Sequence, residues 1–312
     1  MATTLDFTNS VDKTDAAAYI PALWSDQVIA AYKANLVLAG LVNTIPHNGK
    51  KGDTIHIPSF TTYPTASAKA ANNVVTLSTI TDTNIDVLLN KHYAVAVVRE
   101  DIVDIQALDS WRASFSDRMG YALAVQVDTD IRDLAATWNS GTAYSGAYIG
   151  SDGSTAYNSA STGNGTALSD AGIRRALQRL DDGDVPFVDR VLVVPPVEKK
   201  RLLDIPKLVE QMFVGEVGDA NSIRNGLVGD VYGTKVYMST RIAEVTAADG
   251  STKYRACLLF QKQALALAMQ QQVKMEEQRK VEALGTMVVG SVLYGVKTIR
   301  EAGCDAFMVP SI

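Results

Sequence analysis

An α+β fold with parts projecting from its core is predicted by three features of the sequence. Period-two alternation flanks a polar loop between residues 46 and 98, a proline-free helical pattern runs from Asp101 to Asn139, and short helices alternate with buried-strand patterns in the second half. The 312 residues are 47% hydrophobic, enough to bury a large core in one domain or two lobes. With 29 Lys+Arg against 34 Asp+Glu the net charge is −5, which disfavours tight, specific binding to a phosphate backbone. No basic n-region with an apolar stretch opens the chain, and no apolar run approaches the ~18 residues of a membrane span, so neither secretion nor membrane insertion is expected. Cys257 and Cys304 are far apart in apolar runs and read as small buried hydrophobes, not a disulfide.

The first fifteen residues carry Thr, Asp and Asn without any period, and are expected to be an arm ordered only against something else. From Pro21, the residues Leu23, Trp24, Val28, Ile29, Tyr32, Leu36 and Val37 repeat at helical spacing until Gly40, where the helix should end. The turn cluster Asn48–Asp53 leads into alternating Thr54–Pro58. After a loop through Tyr63 and Lys69, Ile85, Val87, Leu89, Tyr93, Val95 and Val97 alternate as one strand of about fifteen residues. These parts predict one long hairpin over 46–98. A two-stranded hairpin has open edges and no core, so it requires a neighbour.

Ile105, Leu108, Phe115, Met119, Ala122, Ile131, Leu134 and Trp138 fit a helix with one phase slip near Gly120. Glu100 and Asp101 suit its N-terminus and Gly141 its C-terminal cap. If continuous it has about 38 residues and spans about 57 Å, longer than an ordinary compact domain is wide. The Ser-, Gly- and Asn-rich stretch 140–165 reads as a flexible or exposed loop.

In the second half Ser169 is a candidate cap for a helix carrying Ile173, Leu177 and Leu180. Arg190–Val194 is a buried strand stopped by Pro195-Pro196, and a helix through Leu202 and Leu203 follows. Gly226, Gly229 and Gly233 set turns beside an alternating strand, Ala256–Phe260 is another buried strand, and Leu265–Gln278 a long one. Val288–Ile299 and Ala306–Val309 form a final strand pair.

Catalytic chemistry finds little footing. His47, His56 and His92 all fall in or beside the hairpin without a Cys, Asp or Glu cluster at ligand spacing, and read as ordinary polar positions even if His56 and His92 face each other. No G-x-S-x-G elbow is present, and Gly226, Gly229 and Gly233 miss dinucleotide-binding spacing. Gly49-Lys50-Lys51-Gly52 has the look of a backbone clamp for nucleic acid, but the strand after it favours a hairpin-base turn. Asp181, Asp182 and Asp184, and Glu276-Glu277, read as solvated faces. No catalytic residue, cofactor or metal is expected, and the chain is not expected to be an enzyme.

The order of these parts, with Ile20–Val28, Lys51–Pro58, Gly229–Val236 and Leu293–Lys297, resembles the major capsid proteins of tailed bacteriophages (Caudoviricetes), of the Hong Kong 97 fold class. The resemblance implies an N-terminal arm and short helix at 1–45, an extended E-loop hairpin at 46–98 and a P-domain with its spine helix at 99–168. A mixed α/β A-domain follows at 169–264, then late strands returning to the P-domain at 265–312. It implies hexamers and pentamers closed into an icosahedral head, assembled in the bacterial cytoplasm, with the hairpin lying over a neighbouring subunit. Assembly contacts are expected at Trp24, Lys50, Lys51, Tyr63 and Lys69. No long pro-region precedes the arm, so a separately encoded scaffolding protein is the expected partner, with a portal, an optional decoration protein, and packaged DNA as a non-specific neighbour. Some members cross-link neighbours through a hairpin lysine; Lys69 lacks the acidic surroundings such chemistry requires and is expected to be solvated. The competing reading is a two-lobed soluble ligand-binding protein or hydrolase with a ligand between its lobes.

Overall fold

The computed structural model describes residues 36–47, 51–60, 66–72, 74–75, 77, 82–101, 110–205 and 229–312. The chain enters through a short helix, α1 (Leu38–Leu41), and β1 (Asn43–Pro46), then forms β2 (Thr54–Phe60), β3 (Asp82–Leu88) and β4 (Lys91–Glu100). The long helix α2 (Ser110–Asp133) runs on as a 3-10 stretch (Leu134–Ser140). Next come β5 (Tyr148–Ile149), α3 (Asp170–Asp182), β6 (Arg190–Val194) and α4 (Pro196–Leu203). The rest is strand: β7 (Asp230–Val231), β8 (Thr234–Met238), β9 (Glu244–Thr246), β10 (Lys253–Gln261), β11 (Leu265–Lys280), β12 (Gly285–Thr298) and β13 (Cys304–Pro310).

Two sheets organise these elements. One has the order β1-β11-β12-β4, and the other runs β5-β13-β10-β6-β8-β7 with β9 added against β10. β2 and β3 pair only with each other. The expected α+β class therefore holds, and an apolar stripe of α2 joins the sheets. Met119, Leu123, Val127, Ile131, Ala135 and Trp138 are buried at spacings of four and three, the period that keeps side chains on one helix face. Most of them share a core with Val292 and Tyr294 of β12 and with Phe260 and Ala306 of the other sheet. Trp138 sits at the junction, edge-on to Phe260 at 6.3 Å between ring centroids, with its indole N–H donated to Thr298 Oγ1 at 3.2 Å.

Several expectations are corrected. The alternation from Ile85 to Val97 is two strands in two sheets. β3 ends at Leu88, and β4 pairs with β12 from Lys91↔Tyr294 to Glu100↔Gly285, so the hairpin ladder covers 54–88 and not 46–98. The period survives the crossing because Val87 and Leu89 pack on Ala266 and Ala268, while Tyr93 and Val95 pack on the core beneath α2. A period of two reads the same whether or not a strand changes partners.

Gly40 lies inside α1 and does not end it; residues 21–35 of the expected helix lie outside the described residues. So do Ile105 and Leu108 of the long helix, which passes through Gly120 without interruption. Gly141 is the C-terminal cap as expected, donating its N–H to Trp138 O at 3.0 Å, but it closes the 3-10 stretch and its backbone is extended, not left-handed. Asn139 and Ser140 take the positive φ values, 54° and 57°, and Gly141 is required because a Cβ there would strike the backbone of Gly146.

The stretch 140–165 is packed, not loose. Tyr144, Ala147 and Tyr157 are buried, β5 pairs in parallel with β13, and the Tyr254 hydroxyl donates to Thr162 O at 2.7 Å. Its small residues let backbone approach aromatic rings: a Cβ on Gly165 would run into the Tyr254 ring. Finally, β12 and β13 do not pair. Ile299 and Arg300 both donate backbone N–H to Ala264 O, and a 3-10 turn at Glu301–Gly303 sends β13 into the second sheet beside β10.

The other expectations for the second lobe hold where its residues are described; Gly226 lies outside them. Ser169 Oγ accepts the Gly172 N–H at 3.1 Å at the start of α3, whose Ile173, Leu177 and Leu180 are buried. All five residues of β6 are buried, and α4 begins at Pro196. Gly229 and Gly233 take positive φ at the turns around β7.

Candidate assembly surface

The β2–β3 hairpin has one face that its own chain covers. Ile55↔Val87 and Ile57↔Ile85 are cross-strand pairs, and this face packs on Ile45, Ala266, Ala268 and Ile299. Its mouth is tied by the Leu89 N–H to Asp53 O at 2.7 Å and by Gln270 Nε2 to Gly52 O at 3.0 Å. On the outer face His56 Nδ1 lies 2.6 Å from Asp86 Oδ1, a direct cross-strand pair. His92 sits in the other sheet, opposite Leu293, so these rings are not brought together. Beyond the ladder the described apolar residues are bare: Val74, Val75 and Leu77 are 93%, 62% and 91% exposed.

Two further projections carry uncovered apolar side chains. The turn between β11 and β12 exposes Val281 and Leu284 at the end of a three-strand extension of β11, β12 and β4, steadied where Arg279 grips Asp101 at 2.6 Å. The loop between α3 and β6 exposes Phe187 and Val188. Solitary exposed apolar residues are ordinary on a protein surface, whereas adjacent large ones on projecting elements mark contact sites.

Of the residues expected to make assembly contacts, Lys51 and Lys69 are exposed, and Trp24, Lys50 and Tyr63 lie outside the described residues. Phe187-Val188 and Val281–Leu284 were missed by sequence reading. The available signal was an apolar Pro186-Phe187-Val188 triplet between turn residues Gly183-Asp184 and Asp189, with no period to bury it.

Among the described residues the clefts bring together no catalytic group. A cavity of about 460 Å³ is lined by Arg132, Asp133, Tyr144, Arg241, Glu244 and Arg255. Its charges offset each other: Arg132 meets Asp133 at 2.7 Å, Arg255 meets Glu244 at 3.4 Å, and Arg241 faces the charge of Asp128. Burial pushes the Tyr144 hydroxyl up to about 12, which keeps it protonated and away from the reactive phenolate. A smaller cavity of about 220 Å³ touches Cys304 and Asp305. Burial pushes both the Cys257 and Cys304 thiols up, away from the reactive thiolate. Asp305 is lifted to about 6, chiefly by burial, although Arg179 Nε donates to it at 3.0 Å. Arg179 also reaches Gly153 O and lies 3.8 Å from the Tyr148 ring centroid, so the pair ties α3, β13 and the 140–165 stretch together. Among the described residues no group of three His, Cys, Asp or Glu is placed to hold a metal ion, and no helix is long and apolar enough to cross a membrane.

Comparison with known proteins agrees with this picture. A family model described as phage capsid protein matches residues 87–304. A chain from Mycobacterium phage Che8 superimposes with a TM-score of 0.72 at 25% identity, over 93% of this chain and 97% of that one. The capsid structure of cyanophage P-SCSP1u gives 0.71 at 20% identity, over 95% and 94%. The cyanophage Pam1 capsid gives 0.70 at 14%, over 95% and 98%. No curated protein sequence matches.

Proposed function

Since the chain belongs to the phage capsid protein family, has the Hong Kong 97-like fold and serves as a structural, non-enzymatic subunit of the virion capsid, we propose that its copies close as hexamers and pentamers into an icosahedral head around double-stranded DNA. The observation that carries this reading is the bare hairpin loop, because Val74, Val75 and Leu77 stand in water on a two-stranded element with open edges. A second copy that covers them removes apolar area from water and closes the surface.

In this reading the hairpin is the E-loop, α2 is the spine helix of the P-domain, and the seven-stranded sheet with α3 and α4 is the A-domain. Residues 1–45 supply the arm, and Trp24, Lys50, Lys51, Tyr63 and Lys69 make contacts between copies. One polypeptide occupies both five-fold and six-fold settings by tilting its hairpin while its ladder stays intact. Assembly takes place in the host cytoplasm with a scaffolding protein and a portal, and a decoration protein is an optional addition. DNA inside is a non-specific neighbour, in keeping with the net charge of −5.

Negative-stain electron microscopy of the expressed protein, with and without a co-expressed scaffolding protein, tests the proposal. Closed shells or five- and six-membered rings support it. A monodisperse monomer or dimer under every condition overturns it and favours a soluble binding protein.

A further inference from the structure

We infer that the loop from Gly183 to Asp189 is a preformed docking knob for a second copy of this chain, which covers Phe187 and Val188 with the apolar, cationic loop of its own β2–β3 hairpin. The inference rests on the capsid reading and deepens it by naming two surfaces that meet.

The knob is built to stay open. Phe187 and Val188 are 68% and 70% exposed, yet the backbone that carries them is held on every side. Arg190, only 2% exposed, donates from Nε to Pro186 O at 3.0 Å and from its terminal nitrogen to Val185 O at 2.6 Å. The same guanidinium meets Asp181 at 2.7 Å and lies 4.4 Å from the centroid of the Phe187 ring. Arg300 donates to Gly183 O at 2.6 Å, Gln261 to Val188 O at 3.4 Å, and the Lys262 N–H to Asp189 O at 3.1 Å. Asp184 and Asp189 flank the apolar pair at φ of 53° and 59°, a conformation that costs a non-glycine residue free energy. A loop so fully satisfied does not fold its apolar residues inward. It presents them as a rigid anchor, which lowers the entropy cost of docking.

Charge selects the occupant. The exposed rim of the knob carries Asp182, Asp184 and Asp189 against the exposed Arg300 and Lys262, an acidic excess of one, while Asp181 is neutralised by Arg190. Residues 61–81, which join the hairpin strands, contain one charged residue, Lys69, and no carboxylate. Lys69 is exposed, as are Val74, Val75 and Leu77. An apolar surface bearing a cation is complementary to an apolar knob whose rim has an acidic excess. Both surfaces remain exposed within one chain, so the contact is made between copies.

The test uses full-length chain assembled into particles. Val75→Cys and Val188→Cys are introduced separately and together, and assembled material is treated with a short bismaleimide; Cys257 and Cys304 are buried. Particles of the double variant, or of the two single variants co-assembled, should yield covalent oligomers on denaturing gels, and particles of either single variant alone should not. Lys69→Asp should cut particle yield at least tenfold with the circular dichroism of the free chain unchanged, and adding Asp182→Lys should restore it. Particles that form without any Val75–Val188 product, or a charge swap that fails to rescue, overturn this contact and leave the capsid reading intact. Failure of the unsubstituted chain to form particles under any condition overturns both.

Discussion

The backbone N–H of Ala39 donates to Asp128 Oδ1 at 3.0 Å, joining the entering chain to the middle of α2. The amides of Leu38 and Val37 also lower this carboxyl's affinity for protons, although burial, the larger influence, raises it. Asp128 is 1% exposed, so its loss leaves donors with no water to turn to. Asp128→Ala should lower unfolding stability by about 2–3 kcal/mol in urea titration and should speed hydrogen exchange at Val37–Ala39.

Gly295 of β12 lies directly under the end of β3, where an added Cβ would collide with the Leu88 carbonyl oxygen. That atom belongs to backbone and cannot swing aside. Gly295→Ala should destabilise by about 1–3 kcal/mol, read as a lower urea midpoint. Gly120→Ala, on α2 with nothing near its Cβ, should instead stabilise by up to about 1 kcal/mol.

Arg190 is the support of the α3–β6 loop. Arg190→Met keeps much of its length but removes the ion pair with Asp181 and the bonds to Val185 O and Pro186 O. Limited proteolysis should then cut between 183 and 189, where the parent chain resists. The expected cost is about 1–3 kcal/mol, mainly from the carbonyl oxygens of Val185 and Pro186 left without their donor, since Asp181 remains open to water.

Asp305 titrates at about 6 against an unfolded value near 3.8. Because the folded state holds this proton more tightly, its contribution to stability is full below the unfolded pKa and is lost as pH rises through about 6. The difference in unfolding free energy between the parent and Asp305→Asn should therefore fall by roughly 2–3 kcal/mol from pH 4 to pH 7. A flat difference would show that Arg179 holds the carboxylate ionised throughout.

Local rules made much of this fold legible before any coordinates. Ser169 announces a cap, Val191–Val194 a strand buried on both faces, and Leu265–Gln278 alternates strongly enough to outweigh its alanines and glutamines. What stayed hidden depends on partners distant in sequence. Nothing in the alternation of Ile85–Val97 marks the change of sheet at Leu89, because β12 lies nearly two hundred residues away. Tyr144 and Tyr157 sit among serines and glycines that look solvated, and only packing with β9, β10 and β13 makes them core. Phe187 and Val188 are exposed because Arg190, which reads as the first residue of a strand, turns its guanidinium back beneath them. At the assembly surface, chemistry-poor composition pointed to a structural role, but the apolar residues that matter carry no motif.

Trp138 and its neighbours make one core out of residues from both sheets. A hinge between the two sheets would have to open this shared core, which makes bending there costly. In the proposed head, pressure would be carried largely across the seams between copies, where the hairpin and the α3–β6 loop would set how far the shell yields.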